Sequence, residues 1–174
     1  MTGGITIMRN WKYAPPIDVK MVHVPEILVC VPMPVLKDGK GKSKVDANAL
    51  RVLLEESEVQ HVAIEKVGAM PGQGVTSMFT FGYGAGVIEG VVASLSYPNG
   101  DSIERPPYEF VTPQAWMKVC FAGMAKGEHK VSPLYCSRRW PGKSFLATER
   151  SRVPHNGMTD SACIADYLLT KLSK

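Results

Sequence analysis

The sequence predicts an α/β fold, and three observations carry that prediction. Short apolar runs of strand length alternate along the 174-residue chain with longer stretches of helical periodicity. Hydrophobic residues make up 45% of the chain and charged residues 21%, a balance that excludes wholesale disorder and supplies a buried core. The length suits one domain, and no repeat or linker divides it, so residues 1–174 are read as a single domain.

The chain reads as a succession of strands and helices. Ile5–Met8 and Val19–Val24 alternate apolar and polar residues as half-buried strands do, and Ile27–Val31 is a continuous apolar run stopped by Pro32 and Pro34. The Lys/Gly-rich stretch after Pro34 reads as an exposed loop. Asp46 then has the chemistry of a helix N-cap, with Val45 and Leu50 spaced as a hydrophobic staple. Leu50, Leu53 and Leu54 give that helix an apolar stripe as far as Ser57. Val59–Val67, with the short apolar run in His61–Glu65, reads as a central strand, and the glycine-rich segment 68–74 as a loop. Ser77–Leu95 is a long helical pattern in which Gly82, Gly86 and Gly90 form a row of small residues suited to close packing. Asn99-Gly100-Asp101 is a turn, Tyr108–Val111 a strand, and Thr112-Pro113 starts a helix around Gln114–Phe121. His129–Arg152 reads as basic and irregular, Gly157 ends it, and Met158–Lys171 closes the chain as a helix.

Composition narrows the function classes. Cys30, Cys120, Cys136 and Cys163 show no C-x-x-C spacing, which argues against structural zinc and against a disulfide-stapled scaffold. Cys30 and Cys163 sit in apolar runs and read as core. No run approaches about 18 uninterrupted apolar residues, and the first ten residues do not resemble a signal peptide. The expectation is a protein of a reducing cytoplasm. Neither phosphate-loop nor dinucleotide-binding glycine patterns occur intact; Val87 stands where the third glycine of the second is needed.

The net charge of +4 hides an asymmetry. Arg105–Arg152 holds nine basic residues against three acidic ones, and Lys37–Lys44 four against one, so the rest of the chain is acidic. Basic blocks of this kind suit a polyanion such as nucleic acid; a solvated surface is the competing reading.

Two carboxylates stand out. Glu65 ends an apolar strand, where a charge is costly unless it reaches water, a metal or a partner. Asp160 lies near the start of the last helix. Carboxylates converging from separate elements can hold hard divalent cations, and paired ions can assist phosphodiester hydrolysis. A helix-dipole contact for Asp160 and a plain strand end for Glu65 remain the simpler alternatives.

Four segments taken together carry a family resemblance: Val62–Val67, Phe79–Val91, Val111–Trp116 and His155–Ala165. In this order they resemble the RuvC-like Holliday-junction resolvases, and most closely their phage-borne branch. The resemblance implies an RNase H-like fold, with a five-stranded mixed sheet flanked by helices and the first three strands antiparallel. It implies a crossover junction endodeoxyribonuclease that cleaves branched DNA in recombination, uses Mg2+ or Mn2+, with two ions in an intact site, and acts as a homodimer in a bacterial or phage-infected cell. Glu65 matches the glutamate ending the fourth strand and Asp160 the aspartate of the C-terminal helix motif. His155-Asn156-Gly157 stands where the branch reads His-Asp-Gly, so Asn156 is a neutral oxygen donor and His155 an assistant to catalysis. Lys66, Lys118, Arg138, Arg139 and Lys143 are the expected phosphate contacts.

The chain departs from the family pattern at its start. An I-D-P-G-like first-strand motif, with its catalytic aspartate, is not among the residues, and Gly3–Met8 resembles the stretch just after such a motif. The first strand is therefore expected to be truncated. Neither Asp18 nor Asp46 substitutes for that aspartate, and a catalytically impaired branched-DNA-binding module is the alternative reading.

Overall fold

The computed structural model of the chain describes residues 3–9, 24–37, 39, 43–66, 68, 72, 74–124 and 131–173. In chain order the elements are β1 (Gly4–Arg9), β2 (Glu26–Pro32), β3 (Val35–Lys37), β4 (Ser43–Val45) and α1 (Ala47–Glu56). They continue with β5 (Val62–Glu65), α2 (Val75–Ser94), β6 (Tyr97–Asn99), β7 (Ser102–Glu104) and β8 (Tyr108–Val111). Three helices close the chain: α3 (Pro113–Cys120), α4 (Val131–Arg139) and α5 (Asn156–Leu172). The architecture is mixed α/β. Residues 19–23 of the expected second strand, most of segment 68–74, and Lys126 and Lys130 lie outside the described residues.

The described chain divides into two compact units, one spanning Met33–Pro113 and the other combining residues up to Pro32 with Gln114–Lys174. In the first unit, β5 and β8 pair in parallel from Val62–Tyr108 to Glu65–Val111. Two antiparallel hairpins join it: β3 on β4, and β6 on β7 around Gly100, whose φ of +59° suits glycine. Asp46 caps α1 as the sequence predicts, its Oδ1 accepting the Ala49 N–H at 3.0 Å. Val45, Leu50, Leu54, Ile64, Val92, Leu95 and Val111 form the buried apolar set of this unit.

In the second unit, β1 and β2 pair antiparallel, with a bulge between Ile7 and Met8. Alternation along β1 buries Ile5 and Ile7, and Ile27 joins them from β2. Helix α5 lies against both strands and against α4. Its buried stripe includes Met158, Ala162, Cys163 and Leu168. An aromatic series, Trp116, Phe121, Tyr135, Trp140 and Phe145, runs through the unit with successive ring centroids 5.4–6.3 Å apart. The Trp140 indole N–H donates to the Pro25 carbonyl at 2.8 Å.

The structure corrects several sequence-based expectations. Part of the stretch expected to be irregular, His129–Arg152, is the helix α4; Pro133 falls in its first turn, where proline is tolerated. The last helix starts at Asn156 rather than after Gly157, because His155 caps it. The glycine row of α2 is not a packing face: a Cβ on Gly82, Gly86 or Gly90 would meet nothing within 4 Å among the described residues. Phe79 and Phe81, near the start of the same helix, are 74% and 45% exposed. The Lys/Gly-rich segment after Pro34 is flanked by paired strands rather than being loop throughout, and Cys30 is half-buried where Cys163 is fully buried. By length and mean hydropathy (1.2) α2 is also apolar enough to cross a membrane, although it carries Glu89; one such helix weighs little.

Candidate functional site

The site is built on the start of α5, where almost every polar group is already used by the protein. The His155 ring is the cap: its Nδ1 accepts the Met158 N–H at 3.3 Å, while its own backbone N–H donates to the Phe145 carbonyl at 2.8 Å. The Thr159 hydroxyl donates to the Asn156 carbonyl at 2.9 Å and the Ser161 hydroxyl to the Met158 carbonyl at 3.0 Å. Thiols add three further contacts to α5 carbonyls. Cys30 donates to Met158 at 3.6 Å, Cys136 to Thr159 at 3.5 Å and Cys120 to Cys163 at 3.3 Å. Two side chains in these turns carry oxygen donors for an outside partner. They are Asn156, which is exposed, and Asp160, which is half-buried. At i and i+4 they share one helix face.

Electrostatics single out Asp160. Burial raises its carboxyl above the ordinary value of 3.8, and a hydrogen bond with Ser132 of α4 offsets part of that rise. A half-buried carboxylate whose charge is disfavoured in this way is a functional-site candidate. Mg2+ takes oxygen donors, commonly one or two carboxylates completed by water and phosphate. Asp160 and the amide oxygen of Asn156 fit in kind. The Nδ1 of His155 is spent on its cap, so it is not a ligand atom here. Among the described residues, no three His, Cys, Asp or Glu side chains converge as a metal-holding group.

Glu65 is the last residue of β5, half-buried and paired in register with Val111. Lys66 comes next, exposed, its backbone N–H donating to the Val111 carbonyl at 2.7 Å. Both belong to the Met33–Pro113 unit, whereas His155, Asn156 and Asp160 belong to the other.

The basic candidates separate sharply. Lys118 at the end of α3 and Arg138 on α4 are exposed. Arg139, one residue along, is turned inward: Nε donates to Oδ2 of Asp166 at 3.0 Å and Nη2 to Oδ1 at 3.1 Å. The Tyr135 hydroxyl donates to the same Oδ2 at 2.5 Å. Arg139 is therefore a structural cation in this structure. Lys143 is exposed, but its Nζ donates to the Ile27 carbonyl at 3.3 Å.

Sequence reasoning missed the Tyr135–Asp166–Arg139 cluster. The available signal was Asp166 itself, a charge inside the apolar run Ala162–Leu169 that needs a buried counter-ion. It also missed Gly4 and Thr6 of β1, which meet α5 beside the site. No protein-family model matches the chain, and no curated protein matches it.

Proposed function

We propose that the chain is a RuvC-like, structure-selective endonuclease domain that hydrolyses phosphodiester bonds in four-way DNA junctions with Mg2+ or Mn2+. The observation that carries the reading is the start of α5, where Asn156 and Asp160 share one face and Arg138 stands exposed on the adjoining α4. Antiparallel pairing in β1–β2 and parallel pairing in β5–β8 occur here in separate two-stranded sheets, and an RNase H-like mixed sheet uses both kinds. The homodimer in this reading draws support from α2, where Val75, Phe79 and Tyr83 are 79%, 74% and 55% exposed at helical spacing.

A bound divalent cation supplies charge neutralisation at the scissile phosphate. Asp160 would hold it as a carboxylate and Asn156 would add a neutral oxygen; Glu65, which belongs to the other unit, is the second acid that the family resemblance implies. His155 has a distinct role. Because Nδ1 accepts a hydrogen bond, the neutral ring carries its proton on Nε2, which can donate to a phosphate or leaving oxygen. Arg138, Lys118 and Lys66 bind backbone phosphates, which position the duplex without reading sequence.

Asn156 favours a second reading, a branched-DNA-binding module without cleavage, because a neutral amide stands where the phage branch carries an aspartate. The two are separated by incubating the full chain with a synthetic four-way junction and a linear duplex, with and without Mg2+ or Mn2+. Both readings expect junction binding that exceeds duplex binding and weakens with salt. This chain is expected to cleave poorly, with any cleavage lost in Glu65→Gln and Asp160→Asn. Cleavage that survives both substitutions overturns the assigned site. Equal affinity for junction and duplex overturns both readings, and salt-independent binding overturns the basic surface.

A further inference from the structure

We propose that Thr6 of β1 is a positioning residue that sets the rotation of α5 and so aims the Asp160 carboxylate. The inference rests on the reading of Asp160 as a metal ligand. Strand β1 meets the first turns of α5 with almost no clearance. Gly3 bridges to Gly157, and a Cβ on Gly4 would run into the Gly157 carbonyl and stand 2.6 Å from the Met158 nitrogen. Within that approach, Thr6 Oγ1 lies 2.7 Å from Ser161 Oγ. Ser161 spends its own proton on the Met158 carbonyl at 3.0 Å, so the Thr6 hydroxyl is the donor between the two. Cys30 Sγ, the other acceptor in reach of Thr6, lies farther off at 3.3 Å.

The contact acts on the residue immediately after Asp160, where it controls roll about the helix axis. An atom about 5 Å from that axis moves about 1.7 Å when the helix rolls by about 20°. Metal–oxygen distances tolerate about 0.2 Å. Close packing at Gly4 fixes the distance between strand and helix; roll is left to directional bonds, those of Arg139 and Tyr135 to Asp166 farther along α5 and one beside Asp160 itself. Thr6 supplies this last bond from one side of Asp160. Cys136, donating to the Thr159 carbonyl at 3.5 Å, contacts the residue on the other side.

The test is Mn2+ binding by the full chain, read from the electron paramagnetic resonance of the unbound ion, with thermal unfolding measured in parallel. Thr6→Val keeps the shape and removes the donor; it is expected to weaken Mn2+ binding about tenfold, the scale of lost outer-shell support. Thr6→Ser is expected to restore binding, and Thr6→Val with Ser161→Ala to bind no more weakly than either alone. If Thr6→Val does not fold, Ser161→Ala removes the same contact from the helix side and carries the test. Loss of binding in Asp160→Asn with unchanged binding in the Thr6 and Ser161 variants overturns the positioning role. Unchanged binding in Asp160→Asn overturns the metal reading itself.

Discussion

Arg138 and Arg139 are adjacent, equally basic, and placed in opposite environments, so the pair offers a direct experiment. Asp166 is 4% exposed at its side chain and accepts three hydrogen bonds, two of them from Arg139, whose own side chain is 22% exposed. Arg139→Ala removes both of those bonds and leaves a buried carboxylate with, among the described residues, the Tyr135 hydroxyl as its remaining side-chain donor. Breaking a buried ion pair from one side costs about 3–5 kcal/mol. In a chain of this size that corresponds to a fall of roughly 6–20 °C in Tm. Arg138→Ala, at an exposed position, is expected to change stability by less than about 0.5 kcal/mol. On DNA the order reverses. If the chain binds junctions as proposed, Arg138→Ala is expected to weaken that binding and to lower the slope of log affinity against log salt by about 1. Urea unfolding followed by tryptophan fluorescence, with a gel-shift salt series, measures both. The double variant Arg139→Met/Asp166→Leu is expected to recover much of the loss, because it removes both charges together. An unchanged urea midpoint in Arg139→Ala with weakened DNA binding would show that the guanidinium faces phosphate and refute the structural assignment.

Gly4→Ala drives a methyl group into the Gly157 carbonyl and is expected to cost about 1–3 kcal/mol or more, whereas Gly82→Ala faces open space and is expected to stabilise α2 by about 0.5–1 kcal/mol; urea midpoints check both. Burial and then the neighbouring Asp166 raise the Tyr135 phenol above its ordinary value of 10.0, so above that pH the unfolded state loses a proton that the folded state keeps. Stability should therefore fall as pH rises past about 10, less steeply in Tyr135→Phe, as followed by urea unfolding across pH. Asp160→Asn should raise Tm in chelator at neutral pH and lose that advantage as pH falls toward 3.8, since burial disfavours the charged carboxylate. A lower Tm for this variant at neutral pH would contradict the assigned burial cost.

What the sequence revealed depended on how local the physics was. Asp46, Val45, Leu50 and Leu54 lie within ten residues, and a cap with an apolar stripe needs no distant partner to be recognised. The start of α5 is displaced from its expected place because an imidazole acts as its cap, a role more common for Ser, Thr, Asp or Asn. Helix α4 escapes the sequence for a different reason. Its support is tertiary: Cys136 donates to α5, Arg139 and Tyr135 bond Asp166, and Trp140 reaches Pro25. None of these is encoded by periodicity. The row Gly82, Gly86 and Gly90 misleads in the opposite direction, since small residues at helical spacing permit close approach without supplying a neighbour. Arg139 shows the same limit at a single position, because adjacent helix residues point about 100° apart and only the location of Asp166 decides which arginine turns inward.

In the proposed reading, the start of α5 also favours Asp160 over Asp166 as the ligand on this helix. Burial raises the Cys30 thiol, hydrogen bonds with the Cys120 and Cys136 thiols and then burial raise that of Cys163, and the thiols of Cys30 and Cys136 donate into the carbonyls of Met158 and Thr159. Gly4 lets β1 approach to a distance that no other side chain would allow. Small, weakly polar groups thus satisfy the helix on its packed sides without introducing charge. Asp166, the other acid on this helix, is neutralised by Arg139 and bonded by Tyr135. Asp160 has a serine hydroxyl beside it, where Asp166 has a guanidinium, and is disfavoured by its surroundings as an anion. Compensating one buried acid so fully while the other, among the described residues, has a hydroxyl in place of a cation departs from the helix's own local pattern. Such departures concentrate where binding repays the cost. In the proposed reading, a divalent cation is the partner whose charge would reverse that cost.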